Sequence, residues 1–373
     1  MPSQESIASE WLGDGRRVVA ATLIERIGSA PLDPGAQMLV DDRGNIEGSV
    51  TGGCVEGALF EEAQQILAGK PPKVVTYGVS DEEAADVGLM CGGTVRVFVH
   101  EPDGDSREQL ERVSAGVSEG RPVALATLLD GERAGAKLAV LEDGVVGGFG
   151  LTELLDYSVE RDARGLLDEG VSRIRRYGAG GEVMGSDLSV YIQAFAPPPE
   201  MVIFGAIDFS AEMAKVASEI GYSVTICDAR EPFVSSPRFS SHARVVVDWP
   251  DRHLAGRELG LRDVVLVFSH DRKFDEPALT AALQTGAGYI GALGSRRTQR
   301  ERVERLREAG VEEEGLARIH APCGLDIGAR TPAETVISIL AEIVAVRTSR
   351  SGASLQDTSG PIHGDAAEAT PTS

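Results

Sequence analysis

Three observations predict a two-part α/β chain. After residue 200, short Val/Ile-rich runs alternate with helix-periodic segments, the pattern of a parallel sheet covered on both faces. Before it, strand-like runs joined by turns outnumber helices, as in a mixed α+β domain. Between the two, "AFAPPPEM" (194–201) places three consecutive prolines, a stiff and extended connector. The expected organisation is an N-terminal α+β domain over 1–193 and a proline linker over 194–200. A Rossmann-like, doubly wound parallel domain over 201–348 follows, then a tail over 349–373 too poor in apolar residues to order.

The N-terminal elements follow from local pattern. "RRVVAATLIERIG" (16–28), "AQMLVDD" (36–42) and "GNIEGSV" (44–50) read as strands. "VEGALFEEAQQILAG" (55–69) reads as a helix stopped by Gly69, and "KVVTYGV" and "GTVRVFVHE" as strands. "SREQLERVSAGVSEG" (106–120) is helical; "RPVALATLLDG" (121–131), "AKLAVLED", "GVVGGFG" and "LSVYIQAF" are strands.

In the C-terminal part, "EMVIFGA" (200–206), "SVTICDA" (223–229), "ARVVVDW" (243–249), "DVVLVFS" (263–269) and "AGYIGALG" (287–294) are expected as buried strands. Helices are expected over 209–222, 274–286, 295–310 and 331–348. The last opens with Thr331 as N-cap, Pro332 at the first helical position and Glu334 two residues on, a capping box.

Charge narrows the function. With 36 basic against 58 acidic residues the chain carries −22, which opposes binding to nucleic acid and to anionic membrane. No apolar run is long enough to span a bilayer, and the first residues lack a signal-peptide pattern, so a cytoplasmic protein is expected. The four cysteines, Cys54, Cys91, Cys227 and Cys323, are far apart. They read as reduced thiols, with no ligand spacing for zinc.

Two of them stand against paired glycines: "GSVTGGCVEGAL" (48–59) and "LMCGGTVRV" (89–97). A cysteine where a helix begins feels positive partial charge, which favours thiolate. The glycines beside it are expected to leave backbone N–H groups uncovered for an anionic ligand, and Glu56 suits the first turn of the helix. Either cysteine alone reads as a small buried hydrophobe. Two in one domain, Cys54 with Gly52 and Gly53 and Cys91 with Gly92 and Gly93, point to one shared cleft. Its thiolates suit a soft metal or sulfur transfer.

In the second domain, "VIFGAIDFSAEMA" lies where a dinucleotide fingerprint belongs, with Asp228 ending the next strand at roughly the 20-residue spacing of a ribose-binding acid. Gly205 is kept. Ile207 and Ser210 replace the other two fingerprint positions, and Asp208 opens the helix, where it can cap it and repel phosphate. An NAD(P)-dependent oxidoreductase is the competing reading, and a ligand-free interaction module is a third. Ser269, His270 and Asp271 follow one strand. Gly294, Ser295, Arg296 and Arg297 follow another and suit a phosphate. "IHAPCGLDIGARTPAE" (319–334) adds His320, Cys323, Gly324 and Asp326 on a glycine-rich loop.

"GSVTGGCVEGAL", "HDRKFDEPALTAAL", "YIGALGSRRTQRER" and "IHAPCGLDIGARTPAETVISILAEIVA", in this order, resemble the XdhC/CoxI family from about residue 10 to 347. The resemblance implies a non-catalytic accessory factor for molybdenum hydroxylases such as xanthine dehydrogenase and carbon monoxide dehydrogenase. Such a factor binds molybdenum cofactor, supports its sulfuration and delivers it to the apo-enzyme. It further implies an apo-hydroxylase partner, a cysteine desulfurase and a homodimer. Cys54 and Cys91 would then act on the cofactor, with Cys54 as a molybdenum contact. The family's remaining motifs fall on Gly52, Gly53, Gly92, Gly93, Gly294 to Arg297 and His320 to Gly328. Two departures stand out: "GAIDFS" replaces a turn like Gly-Ala-Gly-His-Val-Gly, and Cys323 stands where the family commonly has an aliphatic residue.

Overall fold

The computed structural model describes residues 3–28, 31–78, 93–102, 104, 106–269 and 271–359. Chain contacts divide between Pro197 and Pro198 into two units. Cys91, Gly92 and His270 lie outside the described residues.

The first unit runs α1 (Gln4–Gly13), β1 (Val18–Ile27), β2 (Gln37–Asp41), β3 (Ile46–Gly48), α2 (Glu56–Leu67), β4 (Lys73–Tyr77) and β5 (Thr94–His100). After α3 (Ser106–Ser118) come β6 (Val123–Leu128), β7 (Lys137–Leu141), β8 (Gly144–Gly147), α4 (Glu153–Glu169), β9 (Arg173–Tyr177) and β10 (Leu188–Phe195). Two five-stranded sheets result, ordered β3-β2-β1-β5-β4 and β8-β7-β6-β10-β9. Every pairing in them is antiparallel. The two orders are the same, so the unit contains one β-β-β-α-β-β arrangement twice.

Sequence pattern does not reveal this duplication. Sequence reading also passed over α1, α4 and β9, although Leu155, Val159, Ala163 and Leu166 recur at helical spacing in α4.

The core positions nonetheless correspond. Val55, Leu59, Ala63 and Ile66 line the core under the first sheet with Tyr77. Leu155, Val159, Ala163, Leu166 and Tyr177 do the same under the second. A shared cluster joins the sheets: Val18, Ala20 and Leu39 meet Val123, Leu125 and Ala139 beneath α1 and α3. Burying Leu- or Val-sized side chains contributes about 1.5–3 kcal/mol each, so neither sheet is expected to hold its shape without the helices that cover it.

The second unit runs β11 (Glu200–Phe204), α5 (Asp208–Glu219), β12 (Ser223–Cys227), α6 (Glu231–Val234), β13 (Arg244–Val246), α7 (Pro250–Leu254) and β14 (Val264–Val267). It continues with α8 (Arg272–Leu283), β15 (Tyr289–Ala292), α9 (Arg296–Glu308), α10 (Glu313–Ala317), β16 (Ile319–His320) and α11 (Pro332–Arg347). The six strands are all parallel, in the order β13-β12-β11-β14-β15-β16. Separate apolar clusters on the two faces account for the continuous Val/Ile runs.

β13 departs from expectation. It is an edge strand of three residues with no fully buried position. The capping box on α11 forms as read: the Thr331 hydroxyl accepts from the Glu334 amide, and the Glu334 carboxylate from the Thr331 amide. Among the described residues no helix is long and apolar enough to cross a membrane.

Candidate functional site

The Gly-Gly-Cys turn connects β3 to α2, and Glu56, the first helical residue, organises it. Its carboxylate accepts from the Ser49 hydroxyl at 2.5 Å, the Val50 amide at 3.1 Å and the Thr51 amide at 2.8 Å. It also accepts from the Thr51 hydroxyl at 3.0 Å, the Gly53 amide at 2.8 Å and the Val55 amide at 3.1 Å. Burial alone would raise this acid. The Ser49 hydroxyl, the backbone amides and the Thr51 hydroxyl outweigh it and bring the pKa down to about 2. Gly53 sits at φ 125°, a region closed to most side chains, so the turn needs glycine there.

These bonds correct one expectation: the amides beside Cys54 are not left for an outside anion, because Glu56 already fills them. Ser49, Thr51 and Glu56 could have signalled this in the sequence, as three oxygen-bearing side chains bracketing a glycine pair. The Gly52 amide goes to the Ser49 hydroxyl at 2.7 Å. Cys54 precedes the helix, half-buried, with its side chain packed on the core under α2. Gly93 is buried just before β5, beside Gly28. The placement of Cys91 and Gly92 falls outside the described residues.

In the second unit, Gly205, Asp228, Ser269 and Gly294–Arg297 follow the carboxyl ends of β11, β12, β14 and β15, and His320 ends β16 with the loop to Asp326 after it. The parallel sheet therefore brings all of them to one edge, where open α/β sheets bind ligands. Gly205 has φ 111°, and a Cβ there would lie 2.8 Å from the Ser269 amide nitrogen, so the β11 turn and the end of β14 approach closely.

The rest of the fingerprint is closed by the chain itself. Asp208 is the first residue of α5 rather than its cap, which is Ile207, and it pairs with Arg238. The buried Ser210 hydroxyl donates to the Gly205 carbonyl. Asp228 accepts from the Ala206 amide at 2.9 Å and from the Arg230 guanidinium at 2.7 and 2.9 Å. Burial raises its pKa, but the Arg230 and backbone donors prevail and hold it below the usual carboxylate range. Both oxygens that would receive a ribose are thus engaged. Arg230, two residues after Asp228, was the missed signal.

Ser295 caps α9, accepting from the Thr298 amide at 3.1 Å. Arg296 and Arg297 are exposed, and Arg297 pairs with Glu301 at 3.1 Å. Ser269 is buried and accepts from the Asp271 amide at 3.1 Å.

The loop after β16 is fastened to α11 through Glu342, which sequence reading passed over. Glu342 Oε2 accepts from the Tyr289 hydroxyl at 2.5 Å and the Gly324 amide at 2.6 Å. Oε1 lies 3.4 Å from His320 Nδ1. The His320 ring stacks on Tyr289 with centroids 4.5 Å apart. Cys323 is buried in the core, and burial, with Glu342 beside it, pushes its thiol up to about 12. It is an apolar filler rather than a thiolate. Burial likewise raises Cys227 to about 12. Asp326 is exposed. Among the described residues no group of three or more acidic, His or Cys side chains is arranged to hold a metal ion.

Comparison with known proteins agrees with this layout. Residues 201–343 match the XdhC Rossmann domain, and residues 11–78 and 117–178 match the XdhC and CoxI family. The chain is 25% identical over 338 residues to a probable xanthine dehydrogenase subunit of Bacillus subtilis (strain 168), covering 90% of this chain and 95% of that one. It is 27% identical over 340 residues to the molybdenum cofactor insertion chaperone PaoD of Escherichia coli (strain K12), covering 91% and 86%. The crystal structure of a xanthine dehydrogenase from Bacillus halodurans superposes with a TM-score of 0.60 at 25% identity, covering 95% of this chain and 98% of that one. The motifs, the parallel C-terminal sheet and these matches along both units lead to one conclusion: the chain belongs to the XdhC and CoxI family.

Proposed function

We propose that the chain is an accessory factor that takes molybdenum cofactor as cargo, supports its sulfuration and hands it to an apo molybdenum hydroxylase. The observation that carries this reading is Cys54. Of the three described cysteines it alone is not buried, and its turn is held rigid by Glu56 without help from the thiol. Full-length similarity to an insertion chaperone supports the same reading.

The donor set fits the cargo. A thiol is a soft ligand for molybdenum or a carrier of sulfur, and the exposed Arg296 and Arg297 offer cations for the pterin phosphate. In this reading Cys91 is the second thiol. Gly52, Gly53, Glu56, Gly92 and Gly93 in the first unit, and Gly205, Asp228, Ser269, His270, Gly294, Ser295, His320, Gly324 and Asp326 in the second, are the remaining residues this reading assigns to the cargo. Sulfur would come from a cysteine desulfurase, and the working form would be a cytoplasmic homodimer.

The test is to produce the protein in a host that makes the cofactor and to measure bound molybdenum and pterin in wild type and Cys54→Ala. We expect loading to fall at least about tenfold in the variant, the loss of roughly 1.4 kcal/mol of binding, with folding unchanged. Equal loading would remove Cys54 from the role. Absence of cofactor from both proteins, with no transfer to an apo-hydroxylase, would remove the function.

A further inference from the structure

The amino edge of the C-terminal sheet, opposite the edge where the cargo residues gather, holds a small pocket. Tyr222 lies just before β12, and Arg262 and Asp263 just before β14. Arg347, the last residue of α11, lines the pocket with them, and Leu261 and Ile343 add apolar wall. Its volume is about 20 Å³, room for one particle the size of a water molecule.

Tyr222 is 5% exposed. Its buried hydroxyl completes no hydrogen bond of good geometry among the described residues, although the guanidinium groups of Arg347 and Arg262 face it. Native structures rarely leave a buried hydroxyl unmet. The two cations also burden each other. Burial lowers the pKa of Arg262; Asp263 opposes that shift and the Arg347 charge adds to it. Asp263 is the one acid in the lining. Its oxygens accept from the Glu200 and Gly260 amides, each at 2.6 Å. Two guanidinium groups against one carboxylate leave a single positive charge in excess.

We infer that this pocket binds one halide ion, held by the Tyr222 hydroxyl and the guanidinium groups of Arg262 and Arg347. All three are hydrogen-bond donors. The ion gives the hydroxyl a partner, separates the two guanidinium groups and matches the excess charge. A pocket for one water-sized particle suits a monatomic anion and is too small for acetate. The bound ion ties the end of α11 to the starts of β12 and β14. The site goes beyond the accessory role, since it needs neither Cys54 nor the carboxyl edge.

The test is thermal melting of the full-length protein at constant ionic strength, with sodium gluconate replaced stepwise by sodium chloride, bromide or acetate. We expect the midpoint to rise saturably in chloride and bromide and not in acetate. The rise should reach about 3–5 °C at about tenfold excess over the dissociation constant. Tyr222→Phe, which removes only the hydroxyl oxygen, and Arg347→Gln, at an exposed helix end, should each flatten it. Lys215→Gln, an exposed change on α5 outside the pocket, should keep it. In crystals grown with bromide, anomalous scattering should place an ion between Tyr222 and Arg347.

Any of four results overturns this site. These are no response to halide, an equal response to acetate, a full response in either Tyr222→Phe or Arg347→Gln, or bromide located only elsewhere. If Arg347 served only the helix end, Arg347→Gln would lower the midpoint by the same amount in every salt, which is the third result. None of the four bears on cofactor loading through Cys54, so the two proposals fail separately.

Discussion

Glu56 and Asp156 occupy corresponding places in the two copies of one β-β-β-α-β-β arrangement, and their carboxyl groups are displaced in opposite directions. Glu56 gathers hydroxyls and amides from Ser49 to Val55 and falls to about 2. Asp156 accepts from the Phe149 amide at 3.1 Å; burial outweighs that bond and raises its pKa. Cys54 in the first copy is matched by Leu154 in the second, 51% exposed. In the second copy the helix starts earlier, at Glu153, so Leu154 lies inside α4 while Cys54 precedes α2, and this connection has neither the amide nest nor the thiol.

The largest effect should come from the matched cores. Leu59→Ala and Leu155→Ala should each cost about 2–4 kcal/mol. Because α1 and α3 join the two sheets through a shared cluster, denaturation of this unit should stay a single transition in both variants. Two separated transitions would show that the copies are independent and weaken the comparison.

Next in size is Glu56→Gln, expected to destabilise by roughly 1–2 kcal/mol once solvent screening is allowed for. Its folded pKa lies below the unfolded value of 4.5. The stabilisation is therefore present above about 4.5 and lost as pH falls toward about 2. Acid titration of stability should show this loss in wild type and not in Glu56→Gln.

Asp156 has the opposite sign. Its folded pKa is raised, so the ionised form costs stability at neutral pH, and that cost fades as pH falls through the folded value. Asp156→Asn should accordingly stay within about 0.5 kcal/mol of wild type at pH 7. A loss as large as that of Glu56→Gln would make the two acids equivalent and erase the contrast.

The smallest change in stability is expected from Leu154→Cys, an exposed substitution. It sharpens the comparison through function. If the thiol needs its clamped turn, Leu154→Cys in a Cys54→Ala background should leave molybdenum loading as low as Cys54→Ala alone.

Four strands and the four long helices of the second unit were legible because each of those strands is a continuous apolar run and each long helix is periodic, and α11 announced itself through Thr331, Pro332 and Glu334; the short α6, α7, α10 and β16 were passed over, and β13 was read as buried. The duplication was not. Val55 and Leu155, Leu59 and Val159, or Ile66 and Leu166 agree in size and burial rather than identity, and cores constrain volume more than residue type. At the site, the Gly-Gly-Cys and Gly-Ser-Arg-Arg stretches were visible as motifs. The partners that decide what those regions can bind were not. Glu56 looked like an ordinary helix-opening acid, Arg230 like a loop residue and Glu342 like one more charge on a helix. Which amide or carboxylate a side chain reaches depends on folding, and spacing does not encode it.

Glu342 also sets an order of events. It lies on α11, yet it holds the Gly324 amide and faces His320 in the loop after β16. A ribosome makes the loop before the helix that fastens it. During synthesis the carboxyl edge at β15 and β16 therefore lacks its final tie until α11 has emerged and docked, which places completion of that edge among the last steps in the maturation of the second unit.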